Sequence, residues 1–391
     1  MSHVLTVAPV TLVTLAALAP VRRPRSAAAT CFWLGYLVNE FPFFALPWLM
    51  AATLLALENE NRGSPSRWIV LVMTVLTASG LVLIMWRGLL AGPTVARALV
   101  RDLGRGGTNR RPPPRTVFWP IPRRPADVQR IANISYGGAG RGNRLDLYRH
   151  CSSPDAAPVL IHFHGGHFRM GNKSREGRAL LYRFASQGWV CISANYRLRR
   201  AGRFPASLID AKRVIAWARQ HAIDYGADPS LLVVAGSSAG AHLASMAALT
   251  ANDPAFQPGF EPAETSVSAA VCLYGYYRNR EPGGPLPSSP SAFVRASAPP
   301  FFVAHGHNDT LTPAAWAERF VDELRSVSMS PVVYACLPGG QHTFDLLDSV
   351  RFHHVIDGIE TFTTWVRSRR DHLNANETTD AHGSDAERAI G

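Results

Sequence analysis

Residues 231–247 constrain the fold of this 391-residue chain more than any other stretch. The leading LLVVA has the β-branched and leucine content of a buried strand, and the closing AHLASMA has high helix propensity. Between them, GSSAG places Ser238 between Gly236 and Gly240 in a Gly-x-Ser-x-Gly pattern. The glycines let strand and helix approach at a sharp turn that exposes the serine hydroxyl. The pattern predicts a nucleophile or an ordinary strand-to-helix turn, and only partner residues can decide between them.

Strand-like and helix-like segments alternate from about residue 128 onward. The predicted strands are 131–136, 144–150, 158–163, 190–194, 231–235, 269–274, 301–305 and 332–337, and the predicted helices are 176–187, 205–225, 240–250, 313–327 and 349–367. This alternation favours a mostly parallel sheet with helices on both faces, and the two early strands favour an antiparallel edge. Ligands bind such sheets beyond the carboxyl ends of the strands, so partners of the serine are expected in those loops.

The loop after the third strand reads HGGHF and carries candidate oxyanion donors. Paired glycines allow backbone N–H groups to face a developing negative charge without obstruction by side chains. The candidate donors are the amides of Gly165, Gly166 and His167, joined by the amide of Ala239 after the serine. We expect His164 to brace this loop rather than to transfer protons. The alternative is a plain glycine turn.

The loops after the last two strands supply an acid and a base. HGHNDTLTP places Asp309 after the seventh strand, and PGGQHTF places His342 after the eighth. A carboxylate at Asp309 can hold the His342 imidazole in the tautomer that accepts a proton from Ser238. The alternative for Asp309 is an Asx turn or a helix cap. Asp345 and Asp348 are weaker candidates for the acid, because they follow the histidine too closely along the chain.

Together these motifs give the domain at 128–369 a specific likeness. It resembles the α/β-hydrolase fold, in the branch shared by hormone-sensitive-lipase-like esterases and kynurenine-formamidase-like hydrolases. HGGHF is similar to the family's oxyanion motif, NYRL at 195–198 to the segment after the next strand, and GSSAGAHLA to its nucleophile turn. The resemblance implies an eight-stranded sheet and a serine carboxylesterase or lipase that forms an acyl-enzyme on Ser238, without a metal or an organic cofactor.

Departures from the esterase pattern leave the substrate open. His167 stands where lipase-like esterases have a third glycine, and residues 199–201 are Arg-Arg-Ala where those esterases have Ala-Pro-Glu. The likeness therefore shifts toward the smaller esterase and formamidase branch. An amidase or arylformamidase with the same triad is the enzymatic alternative, and an inactive membrane scaffold is a less favoured one. Residues 276–297 are expected either to rim the pocket or to form a surface insertion.

Three apolar segments near the amino terminus predict a helical transmembrane region over residues 1–91. The expected spans are 4–20, 41–57 and 68–86, and the first could instead be loosely inserted. The third is the clearest, because 19 residues without charge match the roughly 20 residues that cross a bilayer. A charge costs about 2.5–3.5 kcal/mol at the bilayer centre, so Glu40 is expected near an interface.

Basic residues concentrate in the first part of the chain. The formal charge is +12, and residues 1–149 hold 18 Lys and Arg against 6 Asp and Glu, whereas the remainder holds 22 of each. This placement favours contact with anionic lipid headgroups and argues against nucleic-acid binding. We predict a basic linker over 92–127 and a disordered tail over 370–391. Positive charge flanking the spans places the catalytic domain on the cytoplasmic side of the cell membrane.

The five cysteines are widely spaced and lack a CxxC pair. Their spacing fits neither a disulfide framework nor a zinc site. The hydrolase likeness and the apolar segments make a small-molecule or lipid ester and the membrane itself the expected partners. The sequence gives no indication of an oligomeric state.

Overall fold

The computed structural model describes residues 4–58, 63–107, 110–114, 116, 119–152 and 156–388, with side chains described as far as residue 372. Its helices are α1 (Val4–Leu18), α2 (Arg25–Glu40), α3 (Pro42–Glu58), α4 (Pro65–Leu89), α5 (Ala91–Leu103), α6 (Arg178–Ser186), α7 (Ala206–His221), α8 (Ala239–Leu249), α9 (Ala314–Val327) and α10 (Val350–Arg388). Its strands are β1 (Val128–Ser135), β2 (Arg144–His150), β3 (Ala157–Phe163), β4 (Val190–Ala194), β5 (Ala227–Ser237), β6 (Ala269–Leu273), β7 (Phe301–Gly306) and β8 (Val332–Leu337).

All eight strands join one sheet in the order β1-β2-β4-β3-β5-β6-β7-β8. The pairs β1–β2 and β2–β4 are antiparallel, and the remaining pairs are parallel. Apolar side chains of α7, α8 and α9 cover one face, while those of α5, α6 and α10 cover the other. The predicted sheet with its antiparallel edge is confirmed, and it brings the carboxyl ends of β3, β5, β7 and β8 to one side.

The start of the predicted linker at 92–127 is wrong. Residues Ala91–Leu103 form α5, and its Val95 and Leu99 are fully buried among α10 and the sheet. The helix is strongly amphipathic, so its apolar stripe is buried against the core. The Arg-rich composition of the whole segment hid this stripe. Linker residues 108–109, 115 and 117–118 lie outside the described residues.

The predicted tail also differs from the structure. Helix α10 continues from the buried segment to Arg388, past the expected start of disorder at residue 370. The extension contains no proline, and adding residues to an existing helix avoids the cost of a new nucleus. Residues 389–391 of the tail lie outside the described range.

Helices α1 to α4 pack together into a unit that we call the N-terminal module. Within the described residues, one helical run, Pro65–Leu103, is long and apolar enough to cross a membrane. Helices α2 and α3 are bent by 98° relative to each other. They are long and apolar enough to cross a membrane only if the pair is counted as one broken span. Helix α1 has 15 residues and α3 has 17, fewer than the roughly 20 that a span needs. Of the three expected spans, 68–86 therefore has the strongest support.

The N-terminal module is fastened to the sheet domain at the end of α2. Glu40 is buried and forms an ion pair with Arg351 of α10, whose side chain is 1% exposed. Ser349 Oγ donates a second hydrogen bond to the same carboxylate at 2.7 Å. The Glu40 charge, which the sequence led us to expect near a bilayer interface, is thus neutralised inside the protein by Arg351.

Candidate active site

Ser238 sits on a strained turn between β5 and α8. Its φ of 53° and ψ of −112° lie in a region that side chains rarely adopt. A Cβ atom on Gly236 would lie 2.1 Å from the carbonyl oxygen of Gly240, and one on Gly240 would lie 1.9 Å from that of Phe163. Both glycines are therefore required by close backbone contact, which keeps the turn tight and the hydroxyl at its apex.

The structure brings Ser238 together with the two residues predicted as its partners. Ser238 Oγ lies 2.9 Å from His342 Nε2, and His342 Nδ1 lies 2.7 Å from Asp309 Oδ2. Asp309 follows β7 and His342 follows β8, so parallel strands deliver all three side chains to one edge. Their exposures are only 5%, 3% and 2%. This geometry permits proton transfer from hydroxyl to imidazole with a carboxylate holding the far nitrogen.

Asp309 is held in its charged form by its neighbours. Burial would raise its pKa, but the imidazoles of His342 and His305 hold that pKa below the usual range of a carboxyl. Its Oδ1 also accepts hydrogen bonds from the amides of Leu311 and Thr312 at 2.9 and 2.8 Å. The Asx turn that was the alternative for Asp309 is therefore present together with the contact to His342. One ionised carboxylate makes both sets of hydrogen bonds.

The HGGHF loop approaches the serine with an unusual backbone. Gly166 has a φ of 110° and His167 a φ of 54°, which turns the loop sharply after β3. The Gly165 amide donates to Glu176 Oε2, so it is not available to an oxyanion, and that part of the prediction is wrong. Ala239 is the first residue of α8, where an amide has no partner within the helix. The amides of Gly166, His167 and Ala239 are the remaining candidate donors.

His164 lies behind the loop rather than in the reaction path. Its ring stacks on Tyr196 with centroids 4.5 Å apart, and Tyr196 Oη donates to the His164 carbonyl at 2.7 Å. Burial lowers the pKa of His164 to about 4, so the ring is neutral near neutral pH. These contacts suit a bracing side chain.

A buried acidic network beneath the serine escaped the sequence analysis. Ser237 Oγ and Tyr274 Oη both donate to Asp345, and the Tyr274 ring lies 4.6 Å from the His342 ring. Burial raises the pKa of Glu176 to about 8, assisted by the charge of Asp345, and burial raises the pKa of Asp345 as well. The position of Asp345 three residues after the histidine was the one available signal, and Glu176 gave none.

Two residues of the segment 276–297 contact elements next to the serine. The Tyr276 carbonyl oxygen lies 2.8 Å from His242 Nδ1, on the helix that follows the serine. Arg280 places its guanidinium 3.7 Å from the centre of the Phe168 ring at the end of the HGGHF loop. These contacts favour the rim over a surface insertion.

Comparisons with known proteins agree with this architecture. The BD-FAE family model matches residues 145–278. The probable carboxylic ester hydrolase LipM of Mycobacterium tuberculosis is 37% identical over 397 aligned residues, covering 89% of each chain. Esterase LipQ of the same organism is 39% identical over 64% of this chain and 66% of its own. Esterase B from Lactobacillus rhamnosis has a TM-score of 0.55 at 19% identity, covering 64% of this chain and 90% of that one.

The sheet order and the esterase structures define the class as an α/β-hydrolase fold, which confirms the predicted fold. At the level of identity and coverage shared with LipM, the chain belongs to the family of carboxylic ester hydrolases that includes LipM. The predicted class of enzyme, a hydrolase of carboxylic esters, is confirmed.

Proposed function

We propose that the protein is a membrane-anchored serine hydrolase that cleaves carboxylic esters through an acyl-enzyme on Ser238. The observation that carries this proposal is the continuous contact from Ser238 Oγ through His342 to Asp309, at 2.9 and 2.7 Å. Nucleophile, base and orienting acid in this geometry are the parts that acyl transfer requires. The proposed catalytic domain spans residues 128–369, with α5 packed against it.

The proposed reaction has two steps. Ser238 Oγ attacks the ester carbonyl while His342 Nε2 takes the serine proton, and the imidazolium then passes that proton to the leaving alcohol as the ester C–O bond breaks. Water then attacks the acyl-serine with the same imidazole as base, and the carboxylic acid leaves as the imidazolium returns that proton to Ser238 Oγ. The amides of Gly166, His167 and Ala239 stabilise the oxyanion in both steps, and Asp309 stabilises the imidazolium that forms.

Membrane anchoring is the second part of the proposal. It rests on the apolar helix α4, which begins the helical run Pro65–Leu103 that is long enough to cross a membrane, and on the exposed apolar side chains of the N-terminal module. The basic residues that follow these helices support an orientation with the catalytic domain at the cytoplasmic face, next to anionic headgroups. Carboxyl-terminal reporters active only inside or only outside the membrane test this orientation, and an external signal would contradict it.

The chemistry is tested with a fluorophosphonate probe on the detergent-solubilised full chain. We expect covalent labelling of the natural protein and none of Ser238→Ala. Turnover of p-nitrophenyl butyrate, a long-chain ester and N-formylkynurenine then separates esterase from formamidase activity. Labelling that survives in Ser238→Ala, or turnover of the formyl amide alone, would refute the proposed ester hydrolysis at Ser238.

A further inference from the structure

Glu176 is a buried carboxyl that the proposed reaction does not use. It is 6% exposed and lies in the loop between β3 and α6. A carboxyl in such surroundings is costly unless hydrogen bonds compensate it, and Oε2 of Glu176 accepts one from the amide of Gly165. A Cβ atom on Gly165 would lie 2.8 Å from that oxygen and 3.1 Å from Ser238 Cβ. The carboxyl and the nucleophile are therefore neighbours of the same glycine.

The residue after Glu176 fixes its position. Gly177 has a φ of 66°, and a Cβ atom there would lie 2.6 Å from Nε2 of His162 on β3. The same Nε2 lies 3.1 Å from Oγ of Ser237, the residue before the nucleophile. Both His162 and Ser237 are fully buried. Glu176 is thus placed by packing against the two strands that lead into the HGGHF loop and into Ser238.

The first peptide of the HGGHF loop is held on both sides. Its carbonyl, on His164, accepts a hydrogen bond from Tyr196 Oη at 2.7 Å, and its amide, on Gly165, donates to Glu176. Since a peptide unit is planar, two such contacts fix its orientation. Removal of the Glu176 acceptor would free the peptide to rotate and leave a buried amide unpaired.

The next two peptides carry candidate oxyanion donors. His164 Nδ1 donates to the Gly165 carbonyl at 2.6 Å, and the Met170 amide donates to the Gly166 carbonyl at 3.0 Å. The C=O and N–H of a trans peptide point in opposite directions, so these contacts define where the amides of Gly166 and His167 point. Their direction depends on the peptide before them, because a rotation there is passed along the loop.

The charge of Glu176 is also set by its neighbours. Burial and the charge of Asp345 raise its pKa to about 8 against the opposing charge of Arg175, so the carboxyl is uncharged near neutral pH. Asp345 itself accepts hydrogen bonds from two hydroxyls, which favour its ionised form. Two phenols, Tyr196 and Tyr274, also face Glu176, and burial raises the pKa of both well above the ordinary value. Glu176 therefore presents an acceptor oxygen without a negative charge beside the oxyanion site.

We propose that Glu176 is a positioning residue for the oxyanion hole. Through its hydrogen bond to Gly165 it holds the next two amides of the loop toward Ser238. The inference rests on the proposed acyl-enzyme mechanism and adds a residue that acts through the backbone rather than on the substrate. The uncharged carboxyl is the form that supports catalysis, because a carboxylate beside the loop would repel the oxyanion.

The test compares Glu176→Leu, which removes the acceptor, with Glu176→Gln, which keeps one, in the full-length protein in detergent. For p-nitrophenyl butyrate we expect Glu176→Leu to lower kcat about 10²-fold and to change KM less than about threefold, because the oxyanion develops only after the substrate is bound. Glu176→Gln should restore kcat to within about threefold of the natural value at pH 7.

A trifluoromethyl ketone reports on the oxyanion hole directly. It adds to Ser238 Oγ while the serine proton passes to His342, and the charged hemiketal oxygen occupies the hole. Its Ki should rise in Glu176→Leu by about the factor by which kcat falls, and stay near the natural value in Glu176→Gln. Asp102→Leu is the matched control, since Asp102 also accepts a backbone amide, that of Tyr334 on β8, with a side chain 11% exposed. Its kcat and Ki are expected to match those of the natural protein.

The pH profile separates positioning from a merely structural contact. The natural protein should lose kcat above about pH 8, as Glu176 ionises, by at least about fivefold at pH 9.5. Glu176→Gln cannot ionise and should lack that decline. This comparison does not use Glu176→Leu, so it decides the matter even if that variant fails to fold.

Unchanged kcat and Ki in Glu176→Leu would overturn the inference, as would a Glu176→Gln variant that fails to restore them. An alkaline decline shared by Glu176→Gln and the natural protein would overturn it too. The proposed function fails differently, because Ser238→Ala would then retain turnover. Turnover that depends on Ser238 but ignores Glu176 would therefore refute only the positioning role.

Discussion

The sheet domain and the N-terminal module treat their apolar side chains in opposite ways. Strands β3, β4 and β6 are buried along their whole length, so apolar residues there face protein on both sides of the sheet. In the module, large apolar residues point outward, with Trp33, Trp48 and Leu76 at 69%, 73% and 67% exposure. Large exposed apolar side chains in such numbers are typical of a surface that contacts a membrane or another apolar partner. Two different surroundings therefore shape one chain.

The regions also differ in where they place charge. The sheet domain buries Asp309 against His342, and the boundary between the regions buries Glu40 against Arg351. We assign the first pair to chemistry and the second to attachment. The comparison teaches that burial alone does not define a functional site, because only the first pair contacts a serine hydroxyl on a strained turn.

The largest expected effect lies in the sheet domain. Asp309→Asn keeps the shape of the side chain but removes the charge that stabilises the His342 imidazolium. We expect kcat for a p-nitrophenyl ester to fall by roughly 10³–10⁴-fold. Trp68→Ala, in the exposed surface of α4, is the counterpart and should change kcat less than about twofold. Similar losses of kcat in the two variants would contradict the assignment of the chemistry to the sheet domain.

The boundary between the regions gives the next effect. Glu40→Gln leaves the Arg351 guanidinium buried without its counter-charge, and we expect a loss of about 3–5 kcal/mol in stability. Thermal unfolding of the detergent-solubilised protein measures it. The double variant Glu40→Leu with Arg351→Met should recover most of the loss, since no charge is then left alone. A double variant as unstable as the single one would show that the pair does not act as a unit.

Much of the sheet domain was accessible from sequence because its signals are local. Strands 190–194 and 332–337 were predicted with their observed bounds, since continuous apolar runs and flanking turns define them. The proximity of Ser238, Asp309 and His342 followed from parallel strands that end on one side. Those signals need no knowledge of distant contacts.

Other features depended on contacts far apart in the chain. Helix α5 becomes part of the core only because α10, about 250 residues later, covers it. The contact between Phe32 and His342 likewise joins residues from the two regions. Glu176 reaches the Gly165 amide through the folded loop between β3 and α6, and no spacing in the sequence indicates that. Tertiary partners, rather than periodicity, determine these features.

The contrast between the regions can be tested with one substitution made in each. Leu232→Ala removes a fully buried side chain from β5 and should cost about 2–5 kcal/mol in the free energy of unfolding. Leu76→Ala, at an exposed position on α4, should change it by less than about 0.5 kcal/mol. Denaturant unfolding in detergent compares the two. A large loss at Leu76 would mean that α4 packs against protein instead of lipid.

The smallest expected effect is a pH dependence that arises within the sheet domain alone. The pKa of Glu176 is raised from its ordinary value to about 8 by burial and by Asp345, so the folded state binds a proton that the unfolded state releases near pH 4.5. Glu176 therefore contributes stability that is lost as pH rises across the window from about 4.5 to about 8. Glu176→Gln retains an oxygen that can accept the Gly165 amide but cannot titrate. We expect its melting temperature to decline less than that of the natural protein between pH 5 and pH 8, by at least about 2 °C.

Asp322→Asn, an exposed change on α9, serves as the control and should keep the natural dependence of melting temperature on pH. If Glu176→Gln and the natural protein lose stability in parallel as pH rises, the buried Glu176 carboxyl does not carry that proton. Glu176 would then be ionised in the folded protein, like Glu40 in its pair with Arg351.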